Sequence, residues 1–391
     1  MDPIRKELES PQPERRLGSG WISGVLALCC AVAGLGAVLC LRYPELLTVA
    51  DARAMYDVAL IRFILHLVLV AGFVLGIVSV VLRQSKVLGL SAVSVILVAT
   101  VLGGSHAQSR GIESDVYLGL DWFLLNLIFT GIIFIPLERL LGKEGQDIFR
   151  FEWREDLFYF LVSTLLVQIL TYLALAPSLT ILSHSDLTGL RGWVASQPFA
   201  LQVVEIMFLT DLVQYWVHRL FHRIPFLWKF HSIHHSAQTL DWLAGSRMHL
   251  FEIVCLRSLT VIPMYVLGFS ETALYTYLIF VFFFATLVHA NIRWNFGVLQ
   301  YWFVTPRFHH WHHGIEKEAI DINFAVHFPI LDKLFGTYYL PANGGWPAGY
   351  GIDQHPVPKG FLKQFLYPFA PAQPAPAVNA PHADQAGGNG H

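Results

Sequence analysis

The chain has 391 residues, of which 54% are hydrophobic and only 14% charged, whereas roughly a quarter of residues are charged in soluble domains. A net charge of −2 and an isoelectric point near 6.8 supply no basic field for nucleic acid, so no nucleic-acid partner is expected. Cys29, Cys30 and Cys40 share one apolar run and Cys255 sits in another, a placement that argues against a disulfide framework, a zinc ribbon or an iron–sulfur centre.

A helix needs about 20 apolar residues to cross the hydrocarbon core, and eight runs approach that length: 21–41, 58–82, 87–102, 122–141, 157–176, 199–217, 250–267 and 272–288. The predicted fold class is therefore all-α, a polytopic integral membrane protein of about eight transmembrane helices. The first run continues to Arg42 without a cleavage site and reads as an anchor; the shorter last two can instead form a re-entrant hairpin. Short loops rich in Lys and Arg stay in the cytoplasm, which places Arg5, Lys6, Arg15 and Arg16, then Arg83 and Lys86, then Arg139, Lys143, Arg150 and Arg154 on that side. Alternation puts Arg219, Arg223, Lys229 and Arg247, and later Arg293, Arg307, Lys317 and Lys333, there as well. Residues 177–198 read as an outer loop. The chain divides into a cytoplasmic segment (1–20), N-terminal transmembrane helices (21–120), a core (121–345) and a Pro-, Ala- and Gly-rich tail (346–391) expected to be disordered from about residue 371.

Twelve of the 18 histidines fall between His218 and His327. Three spacings recur: His218-x3-His222, His231-x2-His234-His235 and His309-x2-His312-His313, with His249 and His289 between the second and third groups. Positions i and i+4 share a helix face, so His218 and His222 can aim both imidazoles at one metal. In each His-x2-His-His group the first two histidines share a face as i and i+3, while the third points about 100° away, so one group can serve two neighbouring metals. Imidazole suits iron, copper, nickel and zinc. Each spacing alone also fits hydrogen-bonded histidines at a membrane surface; the three together, on one predicted cytoplasmic face, point to a dinuclear metal site.

The stretch from about Trp122 to Leu340 resembles the fatty acid hydroxylase superfamily, also called the sterol desaturase family, and within it alkylglycerol monooxygenase and its bacterial relatives. The resemblance rests on Asp211-x3-Tyr215-Trp216-x-His218-Arg219-x2-His222, on His231-x2-His234-His235-Ser236 and on Thr305-Pro306-Arg307-Phe308-His309-His310-Trp311-His312-His313-Gly314. It continues through Asp321-x-Asn323-Phe324 to Leu331-Asp332-x-Leu334-Phe335-Gly336-Thr337-Tyr338. It implies two iron ions held by His218, His222, His231, His234, His235, His289, His309, His312 and His313, with His249 added from Arg247-x-His249-x2-Glu252, where Leu250 replaces the family's proline. His310 is expected beside the ligands rather than among them, and His327 outside them.

Neutral imidazoles leave the charge of two ferrous ions uncompensated, so Asp211, Asp241, Glu252, Asp321 and Asn323 are expected to support the ligands by hydrogen bonds. A helix cap or a surface ion pair is the alternative for Asp241 and Asp321. The resemblance further implies dioxygen as cosubstrate, a lipid substrate from the bilayer, and two electrons from a separate donor of the cytochrome b5, ferredoxin or reductase type. The product is a hydroxylated or desaturated lipid. Trp216, Phe282, Phe283, Phe284 and Trp302 either line the substrate cleft or, the more ordinary role for such residues, face lipid, anchor the interface or belong to the core. Localisation follows as the inner membrane of a bacterium or the endoplasmic reticulum of a eukaryote. A zinc-dependent membrane hydrolase and a metal transporter or sensor are the rival readings; the absent His-Glu-x2-His string and the gathering of ligands at one face weigh against them.

Overall fold

A computed structural model describes residues 2–111, 114–352 and 357–370 of the chain. The tail expected to be disordered from about residue 371 lies outside the described residues. Among those described, the secondary structure is helical, with no β-strand and a single isolated bridge between Gly314 and Tyr350. Seven helices are long and apolar enough to cross a membrane, and a bent pair makes an eighth crossing if it counts as one span.

The helices α1 (Trp21–Arg42), α2 (Val58–Leu82) and α3 (Val87–Val101) form a trio in which each packs on the other two. Asp57 fixes the start of α2 by accepting from the N–H groups of Ala59 and Leu60. The seam of the trio sets small residues, with Ala27, Ala31, Ala92 and Ala99 fully buried, among the aliphatic side chains Val38, Leu65, Leu88 and Ile96, while Leu60, Phe63, Val74 and Val81 face outward. Lipid tails are as apolar as leucine, so such helices associate through close van der Waals packing of small residues. Gly24 and Gly89 are the tightest points: a Cβ would lie 2.5 Å from the Ser79 hydroxyl at the first and 2.6 Å from the carbonyl oxygen of Gly76 at the second.

Through α4 (Leu120–Leu141) the trio joins the rest of the bundle, because α4 packs on both α1 and α5 (Trp153–Leu165). The continuous span expected over 157–176 is instead broken: α5 meets α6 (Val167–Ser183) at 64°. The Leu165 carbonyl accepts from Gly119 N–H, and the Thr164 hydroxyl donates back to the Phe160 and Leu161 carbonyls, a pattern that bends helices. The loop expected from residue 177 also starts late, since α6 runs to Ser183 and a further helix covers Thr188–Ala195.

The remaining helices surround α7 (Phe199–Arg223). After it come α8 (Pro225–His235), α9 (Leu250–Leu267), α10 (Glu271–His289), α11 (Pro306–His312) and α12 (Ile330–Phe335). Proline at the first position starts both α8 and α11, where its missing N–H costs nothing. The last two spans do not form a hairpin with each other: α9 packs on α6 and α7, and α10 on α7 and α11.

The polar termini gather at one end of the bundle. Glu138, near the end of α4, accepts from Trp242 and Asn291 N–H groups, which ties the segments before α9 and after α10 together. The N-terminal segment lies at the same end, where Glu7 pairs with Arg83, Arg15 with Asp147, and the Trp153 indole N–H donates to Glu9.

Candidate metal centre

At that end the structure brings nine histidines into two adjoining groups. His218, His222, His231, His235 and His312 form the first, and His234, His289, His309 and His313 the second. Within each group the ligand nitrogens all lie within 4.8 Å of one another. The groups touch: His235 of the first stacks on His313 of the second with ring centroids 4.3 Å apart.

The partition differs from the one expected within each His-x2-His-His motif. His231 and His235 join one group and His234 the other; His309 and His313 join one and His312 the other. Residues four apart on a helix differ by about 40° in azimuth and residues three apart by about 60°, so the first and third histidines share a target and the second reaches across. Each motif thus bridges both groups, in opposite senses.

The outer nitrogen of most rings is occupied by an oxygen acceptor, which fixes the tautomer. The Nδ1–H groups of His218, His234, His289 and His312 donate to the carbonyls of Phe324 (3.0 Å), Arg247 (3.1 Å), Ala285 (2.7 Å) and Ile322 (2.8 Å). His231 Nδ1–H donates to Glu252 Oε1 at 2.5 Å, and His222 Nδ1 lies 3.4 Å from Asp321 Oδ1. Burial and the neighbouring imidazoles push His231, His234, His235, His309, His312 and His313 well below the ordinary value of 6.5, so these rings are neutral.

Where Nδ1 carries the proton, as in His218, His231, His234 and His289, the inward Nε2 atoms are bare lone pairs, yet they face one another. His218 and His231 approach at 2.9 Å, and His234 and His289 at 3.2 Å. His309 Nε2 lies 2.9 Å from His289 Nε2, and the Nε2 atoms of His222 and His312 are buried without any partner. Two nitrogens each about 2.1 Å from one ion, at right angles around it, sit about 3.0 Å apart. The donor set therefore fits a metal in each group, and a bound cation would relieve the repulsion between facing lone pairs.

His249 is not brought to either group. Its Nδ1 accepts from Phe251 N–H as the cap of α9, its Nε2 donates to the Phe365 carbonyl, and its ring stacks on Phe365. With both nitrogens engaged, it fastens the segment 357–370 to α9. His310 accepts from the Tyr350 hydroxyl through Nδ1 at 2.7 Å and donates from Nε2 to the His289 and Ala290 carbonyls. Burial pushes its pKa down to about 3, so this neutral ring braces the end of α10 that carries His289. His327 is fully buried beside Phe280 and Phe284, apart from both groups.

Of the expected supports, Glu252 touches a grouped histidine directly and Asp321 lies beside His222 while also pairing with Arg223. The others act at one remove. Asp211 accepts from the N–H groups of Val326, His327 and Phe328, holding the loop whose Phe324 carbonyl orients His218. Asn323, at φ +55°, bonds to the Phe308 carbonyl and to both polar atoms of the Tyr339 backbone. Asp241 is both a cap, for Leu243 and Ala244, and a partner of Arg150.

Sequence reasoning missed the network beneath Asp241. Asp156 lies between Arg150 and Arg247, and Arg247 also reaches Glu152. Burial opposes the charge of Arg150, but Asp241 and Asp156 outweigh it and hold the guanidinium protonated. The backbone carbonyl of Arg247 is the acceptor that orients His234. Gly245 was missed too: a Cβ there would lie 2.8 Å from His289 Nδ1, so only glycine lets that ring pack. A sequence marks Arg150 and Arg247 as loop cations, and only their burial shows them as structural. Trp216 and Trp302, candidates for a cleft, face outward, whereas Phe282, Phe283 and Phe284 are half-buried.

The fold and this site define a polytopic membrane protein with two adjoining histidine groups, each of a kind that could hold a metal ion. Residues 203–337 match the fatty acid hydroxylase family. It is 29% identical to ornithine lipid hydroxylase OlsE of Rhizobium tropici over 298 residues, covering 72% of this chain and 85% of that protein. It is 29% identical to human alkylglycerol monooxygenase over 128 residues and 30% identical to that of Caenorhabditis elegans over 146, covering 33% and 37% of this chain. Those matches span 28% of each monooxygenase. These relatives are oxidoreductases. No solved structure matches the chain.

Proposed function

We propose that the protein is a diiron oxygenase that hydroxylates a membrane lipid, with catalysis in residues 121–345. The observation that carries this reading is the pair of adjoining, charge-neutral histidine groups at one end of an apolar bundle, in a domain shared with a lipid hydroxylase. His218, His222, His231, His235 and His312 would hold one iron and His234, His289, His309 and His313 the other. Bound there, two ferrous ions supply the activation of dioxygen needed to oxidise an unactivated C–H bond. The overall reaction consumes one dioxygen, two electrons and two protons per C–H bond, and yields an alcohol and water.

The chain's own contribution is to orient and enclose. Carbonyl and carboxylate acceptors fix each Nδ1–H so that the Nε2 lone pairs converge, and such partners commonly change metal affinity 10–100-fold. Burial of the rings excludes bulk water from the ions. The site's place at the ends of apolar helices favours a substrate that arrives from the bilayer. Electrons come from a separate protein of the cytochrome b5, ferredoxin or reductase type. The site end carries Arg5, Lys6, Arg15 and Arg16 and the loops after α2 and α4, which supports a cytoplasmic orientation in a bacterial inner membrane or the endoplasmic reticulum.

The test is oxygen uptake by reduced, iron-loaded protein in detergent, supplied with a donor and a total lipid extract under 18O2. Lipid-dependent uptake and a product lipid carrying one labelled oxygen support the reading. Zinc occupancy with no uptake after iron loading would move it to a hydrolase or a metal-binding protein.

A further inference from the structure

Electron tunnelling weakens steeply with distance, so a donor protein can act only where the histidine cluster comes closest to the surface. Eight of the nine clustered histidines are buried, and His222 alone is partly exposed. The side chain beside it is Trp228, in the first turn of α8. Its ring centroid lies 5.0 Å from that of His222, 5.4 Å from that of His235 and 6.1 Å from that of His231. These are three of the five histidines of the first group. Positions 228, 231 and 235 share a helix face as i, i+3 and i+7, so α8 itself sets the indole in line with two of them. Phe221 and Phe324 also touch this group but are 2% and 0% exposed. Trp228 is half-exposed, so among the described residues it is the non-histidine aromatic that both touches the cluster and reaches the surface.

Its surroundings are charged. His222 adjoins Asp321, which pairs with the exposed Arg223. The helix α8 carries Lys229 and no carboxylate. Residues 357–370 carry Lys359 and Lys363, again with no carboxylate. That segment is tied to α8 where Lys229 donates to the Ala370 carbonyl and Phe230 meets Phe369. With Asp321 already paired, α8 and its neighbour present an excess of cations, which steers an acidic partner. Tryptophan is among the residues that most often anchor protein interfaces.

We propose that Trp228 is the docking anchor and electron-entry residue for an acidic one-electron donor protein, which seats its redox centre over the indole and passes electrons through the ring contacts to the first histidine group. This rests on the oxygenase reading and adds where the reductant of that reaction binds. In each transfer the donor's centre loses one electron and a ferric ion held by the first group becomes ferrous. Two transfers supply the two electrons of the reaction, and no bond to the indole forms or breaks. The stacked contact of His235 with His313 links the first group to the second.

The experiment reads docking and reduction, not turnover. Iron-loaded protein in neutral detergent is titrated with an acidic plant-type ferredoxin and with basic cytochrome c, at low and high salt. Ferredoxin should bind and be weakened by salt, and cytochrome c should not bind. Trp228→Ala should weaken ferredoxin binding about tenfold or more, the usual effect of losing an interface tryptophan. Lys229→Glu should weaken it less, with iron content unchanged. In anaerobic mixing without lipid, reduction of the iron by ferredoxin should slow in Trp228→Ala and be largely kept in Trp228→Phe. Reduction by dithionite through a viologen mediator needs no docking and should match the wild type in both. Equal slowing with both reductants would show a damaged site and overturn the electron-entry role. Wild-type protein that takes up no iron would defeat the oxygenase reading and this proposal with it. Iron-loaded protein that binds neither partner, binds both alike, or loses ferredoxin on moving from detergent into lipid nanodiscs because the indole lies in the bilayer, would overturn the proposal alone.

Discussion

The N-terminal trio and the histidine half solve the same problem by opposite means. In α1 to α3 the buried seam is wholly apolar apart from Ser79 and rich in alanine and glycine, and the backbones come close enough that a methyl group at Gly89 would strike the Gly76 carbonyl. Around α7 the interior holds nine converging histidines and a chain of buried ions from Glu152 through Arg247, Asp156 and Arg150 to Asp241. Close packing of small groups is enough where nothing has to be positioned. A polar interior has to be satisfied group by group, and here each satisfied group also orients a ligand or the backbone that holds one.

The sharpest break in that comparison is the double variant His312→Ala/His313→Ala. Because these neighbours serve different groups, it should empty both, and metal analysis should find almost none bound; full metal retention would refute the ligand assignment. Asp156→Asn should come next. It removes the charge shared by Arg150 and Arg247, and breaking a buried pair costs on the order of 3 kcal/mol or more. A large fall in thermal stability, with loss of the metal near His234, is expected. Glu252→Gln should leave the fold intact and weaken metal binding by about 10–100-fold, read by competition with a chelator. Gly89→Ala should have no effect on metal content while lowering thermal stability by about 1–3 kcal/mol from overpacking. A loss of metal in Gly89→Ala would show that the two halves are coupled.

The sequence could be read furthest where function repeats a pattern. Seven of the eight apolar runs became helices long and apolar enough to span, the fifth became a bent pair, and the His-x2-His-His spacing identified residues that do converge. Three features were not legible, each for a physical reason. The bend at Leu166 depends on Gly119 capturing the Leu165 carbonyl, a contact between residues far apart in sequence. His249 stands at a motif position, but its ring is taken up as a helix cap and by the Phe365 carbonyl, and neither partner is visible beforehand. Arg150 and Arg247 look like loop cations until burial against Asp156 shows otherwise.

The central claim is that each histidine group holds its own metal, and the most direct test is to count them. Protein from iron-supplemented cells, purified anaerobically in detergent, should contain two irons per chain, one for each group, with X-ray absorption showing a nitrogen-only histidine shell and a second iron nearby. One metal per chain, or iron with no metal neighbour, would contradict the account.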